Sequence, residues 1–269
     1  MNKNKLYKNK AMKLGSPERF GYAWSIANKI SPINEKQFLN WTKVIKDKKF
    51  WQNKIILDVG CGIGRNTYWP ITYGAKTAIA FDLDDRTVEV ARKNLSKFDN
   101  VIVEKKNAYS IGYVNKFDVC FSIGVIHHLA NPIEAINQMI KALKPNGTII
   151  IWVYGYENMW LYVKFLNPIR KILFSRAPIR LVRIISFLPS LIFYILIKFR
   201  ILTKIEYFKF LRKLKFIEIQ QIVFDQMLPK TAKYFTKEEA LNLLNHKKLS
   251  NLEIEWVNDC SWSIKAIKI

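Results

Sequence analysis

The sequence predicts an α/β protein built on a doubly wound, mostly parallel sheet, and three observations carry that expectation. From residue 54 onward, short apolar runs alternate with longer stretches of helical period. The runs are apolar at consecutive positions, as strands covered on both faces must be. A glycine cluster, "VGCGIG", closes the first run and opens the first helical stretch, where a sharp strand-to-helix turn needs positive φ. Strand and helix in alternation require crossover connections, and therefore parallel neighbours with helices on both faces.

The elements follow in order. Residues 1–15, "MNKNKLYKNKAMKLG", read as a basic flexible tail without the apolar run or cleavage site of a secretory leader. Within 16–52, "ERFGYAWSIANKI" and "EKQFLNWTKVIKD" are expected as two helices with aromatic anchors that cap the carboxyl edge of the sheet. The core spans 53–155. There "KIILDVG", "TAIAFDLD", "VIVEKKNA", "FDVCFSIGVI" and "GTIIIWVY" are expected strands. Helices are expected over 65–73, in "DRTVEVARKNLSKF", capped by Asp84 or Asp85, and in "PIEAINQMIKALK", with "KPNG" as the turn before the fifth strand. Residues 156–223 form a basic, apolar helical insertion. In 224–269, Thr236 and Glu239 have the spacing of a capping box, and "NLEIEWVND" and "SWSIKAIKI" alternate as two antiparallel strands that complete the sheet.

With 269 residues the chain can bury a full core. Its formal charge is +23. Lys, Asn and Ile are abundant throughout, as AT-rich coding produces without selection for a polyanion, so the distribution says more than the sum. Residues 160–216 hold thirteen basic side chains against one acid, Glu206, which is about half of the net charge. Three cysteines, Cys61, Cys120 and Cys260, form no CxxC pair and no metal-ligand spacing. No metal is expected, and a reduced, cytoplasmic setting is, with a peripheral contact at the inner face of a membrane as an extension. The stretch 184–197 is uncharged for fourteen residues. A membrane span needs about 20, and Pro189 is expected to break the middle. Three readings stay open for the insertion: a lid over the acceptor, a patch lying in an anionic membrane interface, and a dimer contact.

A dinucleotide loop wants GxGxxG, but the third glycine position is held by Arg65. The spacing Gly60, Gly62, Gly64 after Asp58, DxGxGxG, resembles motif I of the class I methyltransferases that use S-adenosyl-L-methionine. "SIGVIHHL" and "LKPNGTIII" extend the likeness toward ubiquinone-biosynthesis and phosphoethanolamine methyltransferases, clearly over about residues 20–154 and loosely over the last strands. The resemblance implies a Rossmann-like core. It implies that Asp58, Gly60, Cys61, Gly62 and Gly64 form the cofactor loop and that Asp82, eighteen residues after Gly64, accepts from both ribose hydroxyls. Leu83 would pack on the adenine face, with Asn107 and Ala108 at its edge and Ser122 at the end of the fourth strand.

The same resemblance puts the acceptor near His127 and His128, either of which could take a proton. A histidine matching His128 pairs with an N-terminal tyrosine in the phosphoethanolamine enzymes, and Tyr22 is the candidate for that partner. In the ubiquinone-type enzymes the pair is acid then histidine, so His127 departs from them and weakens a metal-assisted reading. Each histidine could equally brace its loop. "VFDQMLPKTAKYF", with Asp225 and Tyr234, could return over the pocket or be a connecting loop. Trp152 and Tyr154 are expected to face opposite sides, one lining the acceptor site.

The expected activity is methyl transfer to a small-molecule or amphiphilic, lipid-linked acceptor, most readily at a hydroxyl oxygen. Nucleic acid is not expected as a partner, because the fourth strand lacks the Asn/Asp-Pro-Pro-aromatic turn of amino-methylating base enzymes and no cysteine follows a proline. The alternatives are an RNA methyltransferase, suggested by the charge, and a non-catalytic cofactor-binding scaffold at a membrane.

Overall fold

A computed structural model describes residues 16–201 and 205–269, so the expected tail over 1–15 lies outside the described residues. Strands β1 (Ile55–Val59), β2 (Thr77–Asp82), β3 (Val101–Lys105), β4 (Phe117–Ile123) and β5 (Leu143–Tyr154) are parallel. Strands β6 (Leu249–Val257) and β7 (Ser261–Lys268) close the sheet antiparallel, β7 against β5 and β6 on the edge, as the alternating C-terminal pattern predicts. The seven-stranded order is β3-β2-β1-β4-β5-β7-β6. The strand order reverses between the parallel neighbours β1 and β4, and the carboxyl ends of those two strands form the crevice where this architecture admits ligands.

Between the strands run α3 (Arg65–Thr72), α4 (Asp85–Leu95) and α5 (Pro132–Ala142). The sheet is apolar on both sides: Leu57 and Ile151 join one core cluster, while their neighbours Ile56 and Ile150 join the other. Consecutive strand residues face opposite layers, so both faces must be covered. The N-terminal helices are α1 (Pro17–Ile26) and α2 (Ile33–Trp41). Gly21 lets α1 settle onto the cap of α4, where a Cβ would stand 2.0 Å from Asp84 Oδ1. Asp84 is that cap, accepting from the amides of Arg86 and Thr87. In α2, Phe38 is fully buried against Trp51, with ring centroids 5.5 Å apart.

One expectation about turns is corrected. "KPNG" lies inside β5, because the chain pairs with β4 on both sides of it: Phe117 faces Leu143 and Val119 faces Thr148. The extra residues form an irregularity in the ladder with Asn146 at φ 62°. Pro189 is the third residue of its helix, in the first turn, where a missing N–H is tolerated, and the helical run is interrupted at Ser186, one turn before it.

The insertion contains α6 (Asn167–Leu173), α7 (Ile179–Ile185), α8 (Phe187–Lys198) and α9 (Glu206–Leu211), and α10 (Phe216–Met227) crosses the expected boundary at 223. Helices α7 and α8 join at Ser186 into one 20-residue run, Ile179–Lys198, long and apolar enough to cross a membrane by length and composition. Arg19 of α1 ties this cover to the core. Its guanidinium donates to the carbonyls of Leu228 (3.0 Å), Ala177 (2.8 Å) and Phe174 (2.8 Å). Arg170 of α6, also buried, donates to the carbonyl of Pro229. After the insertion, α11 (Lys237–Asn242) starts at the expected capping box: Glu239 N–H donates to Thr236 Oγ1 at 3.3 Å and Thr236 N–H to Glu239 Oε2 at 2.9 Å.

Candidate active site

The glycine loop leaves β1 with Gly60, Gly62 and Gly64 at φ 80°, 55° and 82°, all in the left-handed region. At Gly60 closeness adds to the φ requirement, since a Cβ would lie 2.4 Å from Val125 Cγ2. The Gly62 amide donates to Asp82 Oδ2 at 3.0 Å, and Asp82 Oδ1 accepts from the amide of Leu83 at 2.7 Å. Above this loop opens a cavity of about 1560 Å³, and Gly60, Cys61, Gly62, Asp82, Leu83, Asn107 and Ala108 all line it.

Three residues expected at the cofactor stand outside the cavity wall. Asp58 is buried beneath the loop, where Oδ2 accepts from Thr67 Oγ1 at 2.7 Å, and burial pushes its carboxyl up to about 7. Ser122, fully buried, donates to the carbonyl of Val59 at 2.8 Å. Gly64 packs toward Leu95 and opens α3. All three shape the loop without lining the cavity.

At the other end the two histidines part company. His128 lines the cavity and its Nδ1 is 2.8 Å from the carbonyl of Thr231. Satisfying that carbonyl places the proton on Nδ1 and leaves Nε2 as a free acceptor. Burial pulls its pKa down to about 4, so the ring is neutral at physiological pH. His127 is 0% exposed and lies outside the cavity wall, stacked on Tyr154 with centroids 3.8 Å apart. Both its ring nitrogens lack a partner among the described residues, and burial holds its pKa well below the usual histidine value. That placement keeps His127 from touching a ligand.

Tyr22 is also outside the cavity wall, turned into a cluster with Ala23, Val182 and Phe224. The aromatic side chain of α1 that meets His128 is Phe20, at 5.0 Å between rings, which carries no hydroxyl. Helical spacing explains the correction: positions 20 and 24 share a face toward the cavity, and position 22 points away. Trp152 and Tyr154 both line the cavity and touch at 5.5 Å, because residues two apart on a strand share a face. The expectation that they face opposite sides is wrong.

The segment with Asp225 and Tyr234 does return over the cavity. Gln221 Nε2 donates to the Asp225 carboxylate at 2.8 Å and Gln226 Nε2 to the Tyr154 hydroxyl at 2.9 Å. Burial pushes the Asp225 carboxyl up to about 7, opposed by the Arg65 guanidinium and the Gln221 hydrogen bond. Arg65 itself sits between the rings of Trp24 and Trp41, at 4.8 and 4.9 Å, in a double cation–π contact. Sequence reasoning recorded Arg65 only as a departure from a dinucleotide loop. The signal that could have placed it was the pair of aromatic anchors in the first two helices.

The cavity residues fit S-adenosylmethionine on their own chemistry. Gly62 leaves open space beside the loop, with nothing within 4 Å of a Cβ built there. Asp82 presents a carboxylate at the end of β2, and the adenine-side pair Asn107 and Ala108 follows β3 in the same wall.

Comparisons with known proteins agree with this geometry. Residues 57–151 match the family described as a methyltransferase domain. Over 113 residues the chain is 28% identical to a tRNA U34 carboxymethyltransferase of Helicobacter pylori, covering 40% of this chain and 43% of that protein. The chain thus spans less than half the length of this curated relative. Among solved structures, a S-adenosylmethionine-dependent methyltransferase from Thermotoga maritima superposes with a TM-score of 0.53 at 14% identity, over 91% of this chain and 93% of that one. Magnesium protoporphyrin IX methyltransferase from Synechocystis, solved with bound S-adenosylhomocysteine, gives 0.54 at 10% identity, over 88% and 84%. Such identities speak to the fold alone. The curated relative corrects one expectation: it is named as a tRNA-modifying enzyme, so the exclusion of nucleic acid as a partner does not stand. That exclusion rested on two short motifs of base-amino and carbon-5 enzymes, which do not exhaust the chemistry of RNA methylation.

Proposed function

We propose, from the premise that this chain carries a class I S-adenosylmethionine-dependent methyltransferase domain, that it transfers a methyl group to a nucleophilic atom of an acceptor held in the cavity above the glycine loop. The observation that carries this reading is the single cavity that runs from Gly62 and Asp82 to His128, Tyr154 and Asp225. Bound cofactor supplies an electrophilic methyl group on a sulfonium centre. The glycine loop, Asp82, Leu83, Asn107 and Ala108 hold it there. The protein's own work at the acceptor is to orient the attacking atom and to take up the proton it loses. His128 Nε2, unprotonated at neutral pH, and the Asp225 carboxylate are the two groups in the wall suited to that role.

Two acceptor classes have support. The name of the curated relative and the +23 charge favour RNA. The apolar helices that cover the cavity, with Ile169, Phe174 and Phe193 in its lining, favour a small or amphiphilic molecule. Incubating the protein and methyl-labelled cofactor with cell extract separates them. Label in nuclease-sensitive material supports RNA, and label in the organic phase or in small aqueous products supports the second class. Absence of transfer to every fraction, with intact cofactor binding, would sink the catalytic reading in favour of a scaffold.

A further inference from the structure

The helical run of α7 and α8 is inside out for a protein surrounded by water. Its buried side carries Val182, Ser186, Ser190 and Ile197, all 0% exposed, and the two serine hydroxyls are spent on backbone carbonyls of Arg183 (2.7 Å) and Ser186 (2.5 Å). Its outer side carries Ile184, Leu188, Ile192 and Phe199 at 72%, 62%, 52% and 75% exposure. Those positions are spaced by four, four and seven residues, so they form one continuous stripe along the helix face. The stripe is part of a wider patch: of twenty-four large apolar residues exposed among the described residues, nineteen lie within 156–217. An exposed apolar surface of that extent has a partner.

Charge decides which one. From 160 to 205 the sequence has nine Lys and Arg and no Asp or Glu. Lys164, Lys171, Arg176, Arg180 and Arg200 are exposed, and none joins an ion pair among the described residues. A second copy of this chain would bring the same unpaired cations face to face. RNA would match the cations but offers nothing to an aliphatic stripe, since its protein contacts are phosphate, base edge and aromatic stacking. An anionic bilayer matches both features, taking the side chains of the stripe between its headgroups and the cations at its phosphates.

We infer that α6, α7 and α8 form a monotopic membrane-docking face, with the helical run lying along an anionic lipid surface and its serine side packed on the domain. At about 1.5 Å per residue the run is about 30 Å long, with Arg176 and Arg180 at one end and Lys198 and Arg200 at the other. Its inner side supplies Arg183, Ser186 and Phe193 to the cavity wall, so docking brings the cavity against the lipid. The inference needs neither methyl transfer nor any particular acceptor.

The test is co-sedimentation of the full chain, without cofactor, with vesicles of phosphatidylcholine alone and of phosphatidylcholine mixed with phosphatidylglycerol. The wild type is expected to bind the anionic vesicles and to bind neutral ones weakly. The double substitution Leu188→Glu with Ile192→Glu, both on the exposed face, is expected to weaken anionic binding about tenfold or more. Arg176→Glu with Arg180→Glu should remove the preference for anionic lipid at about fivefold per residue, and it keeps the test decisive should the first pair fail to fold. Wild-type protein that ignores anionic vesicles overturns the inference. So does a Leu188→Glu, Ile192→Glu protein that binds them undiminished.

Discussion

His128 and Asp225 divide the chemistry of the cavity wall in a way that pH can separate. With its pKa near 4, His128 stays neutral from pH 6 to 9 and contributes no step to activity there. Asp225, raised to about 7, changes charge in the middle of that range. If its carboxylate assists the acceptor, methyl transfer rises as pH passes upward through about 7 and is lost as pH falls below it. Asp225→Asn should abolish that step, which a pH profile of kcat/KM reads directly. His128→Asn keeps a donor toward the Thr231 carbonyl and removes Nε2. Its kcat should fall by about 100-fold or more while cofactor affinity holds. Equal losses of kcat and cofactor binding would instead mark His128 as a brace for its loop.

The glycine-loop side of the cavity was legible in the sequence because it is local. Gly60, Gly62, Asp82, Leu83, Asn107 and Ala108 each sit at a strand end, where a few residues of spacing fix where the backbone goes. The acceptor side was less legible because it is assembled from distant segments. Asp225 comes from α10, Tyr154 from β5 and Phe20 from α1, and no spacing within one segment reveals that they meet. Tyr22 and His127 lie outside the cavity wall for a related reason: residue type does not reveal which side of a helix or loop a side chain faces, because packing sets it.

At the scale of elements, the strand and helix alternation predicted the sheet almost strand for strand, since buried parallel strands must be continuously apolar. The cover over the cavity is held differently. Arg19 reaches from α1 to the ends of α6 and α10, donating to three carbonyls that have no carboxylate among them. A cation at the C-terminal ends of helices is favoured by their dipoles as well. Arg19→Met should cost about 3 kcal/mol, because truncation strands buried carbonyls. Thermal unfolding would read this as a lowered Tm, and protease would cut first within the insertion. An unchanged Tm would mean that apolar packing in the cluster of Val182, Phe224 and Met227 holds the cover by itself. No sequence period announces such a contact, as its partners are backbone groups more than 150 residues away.

Taken whole, the molecule joins a conventional cofactor half to a cover whose surface is apolar and basic. The sequence left that cover open between a lid, a membrane patch and a dimer contact. In the folded arrangement Ser186 and Ser190 turn inward and Ile184, Leu188 and Ile192 outward, the observation on which the proposed lipid contact rests. The measurement closest to the central claim is the binding of S-adenosylmethionine and of its demethylated product to the wild type and to Asp82→Ala, by calorimetry and thermal shift. With ligand at about a hundred times Kd, the wild type should gain about 2.7 kcal/mol, a rise in Tm of about 5 °C. Asp82→Ala should lose most of that gain at the same ligand concentration. Equal behaviour of the two proteins, or no binding by either, would contradict the placement of the cofactor above the glycine loop and with it the methyltransferase reading of the cavity.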